Sequence, residues 1–220
     1  MNRRRKRRAV IAGVVGLASL AAVGSASILS PSIVQATSHC GGTERWDVKT
    51  LSDAAADPAA RVVGYRAKDT TIDRLREQVL PEPIGGHEPR LAGVETQVWR
   101  LTNVYLVDAR LVRGGSPPGD EDIHLVIRDR HATHKMIVEF PDIRCRGASV
   151  SHRRARIERA RDAFLGACGG VPRSFVGLGG RATLTGVGFF DKKHGQRGIA
   201  PNGVELHPVL SFRSTSCERD

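Results

Sequence analysis

The chain has 220 residues, enough for one domain of ordinary size with extensions, and a formal net charge of +11. Residues 1–36 carry six of the 34 Lys and Arg and none of the 23 Asp and Glu, which leaves 28 basic against 23 acidic residues, +5, for the remainder. That mild excess is compatible with an anionic partner and does not demand one, and two Trp, two Tyr and six Phe supply a base-stacking platform poorly.

The N-terminus reads MNRRRKRR, followed by an uncharged run rich in Ala, Gly and Val from Ala9 to Leu29. A basic head, an apolar run and small residues at Val34-Gln35-Ala36 make an export signal with cleavage expected after Ala36, Ala26 being the second choice. A membrane anchor is the alternative. The glycines and serines in the run make it only weakly apolar, so no stable membrane span is expected after cleavage. Arg7-Arg8 also allows a twin-arginine signal. The expected location is secreted or cell-envelope. The organisation is a signal over 1–36, an N-terminal extension and linker over 37–94, and a barrel domain over 95–215.

Four cysteines, Cys40, Cys145, Cys168 and Cys217, follow the signal, and an even count in an exported chain predicts two disulfides. Cys40 and Cys217 lie near the chain ends and Cys145 and Cys168 bracket a helix, so Cys40–Cys217 with Cys145–Cys168 is the preferred pairing of the three possible.

In the extension, Glu44 to Lys49 reads as a short strand anchored by Trp46. Thr70-Thr71 precede Ile72, Leu75, Val79 and Leu80, a Thr-capped helix of about three turns. Pro81, Pro83, Gly85 and Gly86 end it. The first barrel strand spans Gln97 to Val112, with Trp99, Leu101, Tyr105, Val107, Ala109 and Leu111 on one parity. Sixteen residues exceed the usual five or six, as expected of a strand that bends to serve both halves of a small barrel. Arg113 to Gly119 is a turn segment.

Strand two is Asp122 to Arg128, with Ile123, Leu125 and Ile127 on one face and Asp122, His124 and Val126 on the other. Asp129 to His134 turns into strand three, Lys135 to Phe140, which Pro141 stops. A helix from Ser151 to Leu165 follows, with Ile157, Ala160, Phe164 and Ala167 as its buried stripe and Arg153, Arg154, Arg156, Arg159 and Arg161 over the rest. Strands four and five are Arg181 to Phe190 and Val204 to Phe212. Three strands, a helix and two strands is the connectivity of an OB-fold-like five-stranded Greek-key barrel, so the class is mainly β.

That fold takes ligands across strands two and three, between the strand 1–2 and 4–5 loops, and both loops are polar here. Asp120 and Asp122, with Glu205, are the candidate ligands of a divalent cation, beside Glu121. A solvated acidic turn is the plain alternative. In the 191–203 loop, Asp191, Lys192, Lys193, Gln196 and Asn202, joined by His124, are candidate ligand-binding residues; for an enzyme, His194 or His207 would move a proton and Arg197 would steady negative charge. The alternative has Asn202, Glu205 and His207 tying the loop down. Gly186 and Gly188 share a strand face, which points to a bend or a close backbone approach.

These residues carry two resemblances. Asp122-Ile123-His124 and the run His194 to Val209, HGQRGIAPNGVELHPV, resemble exported bacterial proteins of unassigned function with an Asp-x-His strand and an HGQxGxAPNxxELHPV signature. More distantly, Asp120 and Asp122, Glu139-Phe140-Pro141-Asp142, and Asp191-Lys192 with Arg197-Gly198 resemble the thermonuclease family. That resemblance implies an OB-fold barrel hydrolysing phosphodiesters with calcium and carboxylates. Strand three offers only Lys135 where that family has a catalytic arginine. Three functions therefore compete: a module binding an anionic polymer or glycan (nucleic acid included) through the two loops, a metal-dependent phosphodiesterase, and a structural envelope domain.

Overall fold

The structure, a computed structural model, describes residues 40–80, 84–112, 119–130 and 133–219. The segment read as an export signal, Pro81, Pro83 and most of the turn after the first strand lie outside the described residues. In chain order the elements are α1 (Trp46–Thr50), β1 (Ala67–Thr70), α2 (Ile72–Arg76), β2 (Val98–Leu111), β3 (Ile123–Arg128), β4 (Lys135–Phe140), α3 (Arg154–Cys168), β5 (Val176–Phe190) and β6 (Val204–Arg219). The protein is mainly β.

The strands form one mixed sheet, ordered β1-β2-β3-β4-β6-β5, in which β2 also pairs with β5. Five strands therefore close a ring of hydrogen bonds, and β1 adds to β2 in parallel outside it. Every pairing within the ring is antiparallel except β4–β6, where Ile137 faces Glu205 and Val138 faces Leu206. The first half of β2 lies between β1 and β5 and the second between β3 and β5, so the long strand does serve two neighbourhoods. It bends where the register slips between Leu101 and Val104, with Asn103 in the left-handed region at φ 59°. The slip defeats single-parity reading: Val104 and Leu106 are core residues, and Tyr105 and Val107 are half-buried.

The interior of the ring is lined by Leu125, Ile127, Met136, Val138, Phe140, Leu184 and Leu206. Helix α3 packs against this core through Phe164, whose ring lies 5.0 Å from that of Phe140 and 5.5 Å from that of Phe212. Its buried stripe ends on Cys168; Ala167 is exposed. Ser151 Oγ accepts from the backbone N–H of Arg153 just ahead of the helix. At Gly188 an added Cβ would stand 2.5 Å from the Val94 carbonyl oxygen, which is the close approach its position implied.

The N-terminal segment differs from its sequence reading in three respects. Trp46 to Thr50 is a helical turn, because Trp46 and Lys49 are both buried and a spacing of three puts them on one side of a helix but on opposite sides of a strand. Helix α2, capped by Thr71 Oγ1, stops at Arg76, and Val79, expected in its buried face, is exposed. A further strand, β1, forms before it.

The disulfides are Cys40–Cys145 and Cys168–Cys217, not the expected Cys40–Cys217 and Cys145–Cys168. The reason is the length of β6, which continues past Phe212 to Arg219 and runs beside the end of α3. There Arg219 Nε donates to the Cys168 carbonyl at 2.9 Å and Cys217 reaches Cys168. Cys40 is left to pin the N-terminal segment beside β4. Two disulfides suit an exported protein. Among the described residues no helix is long and apolar enough to cross a membrane.

Candidate functional site

Strand register assembles the site. His124 on β3 stands directly opposite Glu139 on β4. The parallel pairing of Ile137 with Glu205 then brings His207 alongside Glu139. Asp122 and Glu205 precede the two histidines by two residues, so all five project from the face opposite the apolar interior. An acid and imidazole row thus crosses three strands.

The contacts within it are short. His124 Nδ1 lies 2.9 Å from Glu139 Oε1, and His124 Nε2 lies 2.9 Å from the Arg197 carbonyl oxygen. His207 Nδ1 is 3.2 Å from Glu205 Oε1 and 3.3 Å from Glu139 Oε2, while its Nε2 is 3.1 Å from Asp122 Oδ2. That last contact is an ion pair without hydrogen-bond alignment. The other oxygen, Asp122 Oδ1, and the buried Asp120 Oδ1 have no hydrogen-bond partner among the described residues.

Two elements cover the row. One is the N-terminal segment: the Trp46 ring meets His207 edge-on at 6.3 Å, and Lys49 Nζ reaches Asp191 Oδ1 at 3.0 Å. Arg45 fastens this segment to the barrel through Glu95, with Nη2 2.5 Å from Oε2. The second cover is the 191–203 loop, which lies down over β3 because Gly198, at φ 89°, has no Cβ to strike Val126. Phe189 closes another side of His207, ring to ring at 6.0 Å. Asp122 and His207 are wholly buried.

Burial and crowding set the protonation. Burial, then the charges of Asp122 and Glu139, push Asp120 up to about 8. Burial also raises Asp122 against the pull of His207, and burial with Asp191 and Glu139 lifts Glu205 to about 7. Burial would raise Glu139 too, but its bond from His124 and the charge of His207 hold it down at about 2. For His207 burial favours the neutral ring, yet Asp122 and Glu205 outweigh it and raise the ring to about 10. Lys49 is likewise held charged by Asp191, Glu205 and Glu139 against its burial. The site has more carboxylates than cations and takes up protons to compensate.

Asp191 joins the row through Lys49. His194 is exposed and contributes its backbone N–H to Gln196 Oε1. Gln196 Nε2 donates to Asp191 Oδ2 and the Lys192 carbonyl, and Lys193 Nζ to the Pro201 carbonyl, while the Lys192 side chain is exposed. Asn202 Nδ2 donates to the Leu75 and Gln78 carbonyls, fixing the loop to the end of α2. The Arg197 guanidinium pairs with Asp108 at 2.7 Å, stacked on Phe175. His194 and Arg197 therefore bring no side chain into contact with His207. Glu139, Lys49 and Trp46 were not among the sequence candidates for the site. Glu139 shares its strand face with Lys135 and Ile137, so parity alone does not single it out.

Comparison with family models, with curated proteins and with solved structures finds no match to this chain.

Proposed function

We propose that the chain is an exported, disulfide-stapled barrel with OB-fold connectivity whose covered acid and imidazole row holds a divalent cation. The fold assignment is supported by the ring order, by the parallel closure of β4 on β6, and by the helix between β4 and β5. The cation assignment is carried by one observation. Donor atoms of Asp122, Glu139 and His207 lie within 4.8 Å of one another, all three residues are buried, and Asp122 Oδ1 is left without a hydrogen-bond partner among the described residues. A buried carboxylate oxygen without a partner costs about 1–3 kcal/mol or more, and a cation removes that cost. Two carboxylates and an imidazole suit zinc or manganese better than calcium. The resemblance to exported proteins with the HGQxGxAPNxxELHPV signature fits this reading, since Glu205 and His207 close that signature.

The row is a holding site and no hydrolytic step is assigned to it: Trp46 and Phe189 stand against His207, and His194 and Arg197 face elsewhere. A second reading has support in the geometry of His207, whose two nitrogens lie 3.1–3.3 Å from three carboxylates. In it the imidazolium is itself the cation and the row is architecture. Calorimetric titration of the chelator-treated chain with Zn²⁺ and Mn²⁺ separates the two. Roughly one equivalent should bind and raise Tm, and Asp122→Asn should abolish both effects. No uptake of either metal, with Tm indifferent to chelator, leaves the imidazolium reading.

A further inference from the structure

We infer that an arginine-lined groove on the β2–β5–β6 side of the barrel binds an acidic polysaccharide. The groove has a volume of about 710 Å³ and its floor is set by strand register. Arg100 on β2 faces Thr185 on β5, and Thr185 faces Ser211 on β6. In the next row Thr183 faces Arg213. Thr185 Oγ1 and Ser211 Oγ are 2.7 Å apart, so the hydroxyls form a continuous polar strip between two arginines. Arg156 from α3 and Arg66 from the segment before β1 complete the walls.

The charge is what calls for a ligand. Among the described residues no carboxylate lines the groove. Of the four arginines, Arg100 alone has an ion pair among the described residues, with Asp69 at 3.2 Å, and that pair is open to solvent. Arg156 has Arg159 for its charged neighbour; burial first, then that repulsion, lowers its basicity. Behind the wall Arg153, 4% exposed, stacks on Tyr65 at 3.7 Å and leaves Nε and Nη1 without hydrogen-bond partners among the described residues. Guanidiniums set around hydroxyls without a carboxylate leave their donors to solvent, and their planar forks suit carboxylate and sulfate oxygens.

The same surface argues for a glycan over a nucleic acid. Among the described residues Tyr65 is the one aromatic side chain exposed along the groove, and Arg153 already covers a face of it, so bases would find no free stacking face. Sugar hydroxyls instead meet the Thr183, Thr185 and Ser211 strip. The groove is separate from the cation row and does not rest on it.

The probe is a fluorescent heparin hexasaccharide, read by anisotropy against the whole chain. Wild-type affinity should fall about tenfold or more between roughly 50 and 200 mM salt. Arg156→Gln with Arg213→Gln should weaken binding about tenfold or more, while Lys192→Gln with Lys193→Gln, in the 191–203 loop, should change it less than about twofold. If the double arginine variant loses its fold by near-ultraviolet circular dichroism, Arg66→Gln alone, on an exposed side chain, should still weaken binding about threefold. No wild-type binding, equal losses for the groove and loop variants, or tighter binding of a single-stranded DNA of equal charge through the same arginines would each overturn the assignment.

Discussion

The acid and imidazole row and the arginine groove are opposite solutions to surplus charge on one barrel. The row gathers Asp120, Asp122, Glu139 and Glu205 under a cover and, until a metal binds, corrects its surplus internally, with Lys49, with His207 and with protons held by raised carboxyls. The groove gathers the exposed Arg66 and Arg213 with the half-buried Arg100 and Arg156 and leaves most of its surplus for something from outside. Water explains the difference. An exposed guanidinium costs little to leave unpaired, whereas a buried carboxylate must be paired, protonated or metal-bound. Changes at the row should therefore appear in stability, and changes at the groove in affinity.

The largest effect should come from unfastening the cover. Arg45 is 4% exposed and its guanidinium pairs with Glu95, which also accepts from the Leu91 and Phe190 backbone N–H groups. Glu95→Ala strands a buried arginine and two backbone donors, so about 3–5 kcal/mol of unfolding free energy should vanish in urea titration. A loss below about 1 kcal/mol would mean that the segment is only loosely applied to the row. Next is Cys40→Ser with Cys145→Ser, which frees a loop of 105 residues and should cost about 2–5 kcal/mol. The barrel should stay folded, because Cys168–Cys217 is untouched.

The pH dependence of stability tests the row itself. His207, raised to about 10 in the fold, lends stability that is complete below its ordinary 6.5 and is lost as pH climbs through 10. Asp120, at about 8, and Glu205, at about 7, have the same sign and give up their contribution between their ordinary values and these. Glu139, held at about 2, works the other way and loses its contribution as pH falls from 4.5 towards 2. In chelator, Tm should therefore fall as pH rises from about 5 to 10. Saturating Zn²⁺ should flatten that decline, because the metal replaces protons that leave. A Tm that rises over the same interval in chelator would contradict the protonation scheme.

How much of this was legible in the sequence follows from which contacts are periodic. The period-2 pattern of Asp122 to Arg128 and Lys135 to Phe140 located β3 and β4 to within a residue, and both carry the row. The shared face of Asp122 and His124 follows from the same parity. What the sequence hid was non-periodic or long-range. The cover depends on Trp46 and Lys49 at helical spacing within a single turn too short to show amphipathy. The disulfide partners depended on where β6 ends, and Ser214 to Glu218 is polar enough to read as a tail. The groove joins side chains from β2, β5, β6 and α3, spread from Arg66 to Arg213, which no local pattern connects.

The smallest effect expected on stability is the most useful for keeping the two regions apart. Arg213 is exposed, has no ion pair among the described residues, and sits opposite Thr183 at the rim of the groove. Its replacement by Gln keeps a side chain of similar reach and removes one cation from solvent, so unfolding free energy should stay within about 0.5 kcal/mol of wild type. Heparin hexasaccharide affinity should nonetheless fall about threefold, with Zn²⁺ uptake unchanged. If Arg213→Gln instead altered metal binding or shifted the pH profile of Tm, the row and the groove would be one electrostatic system. The separation of buried from exposed surplus would then be wrong.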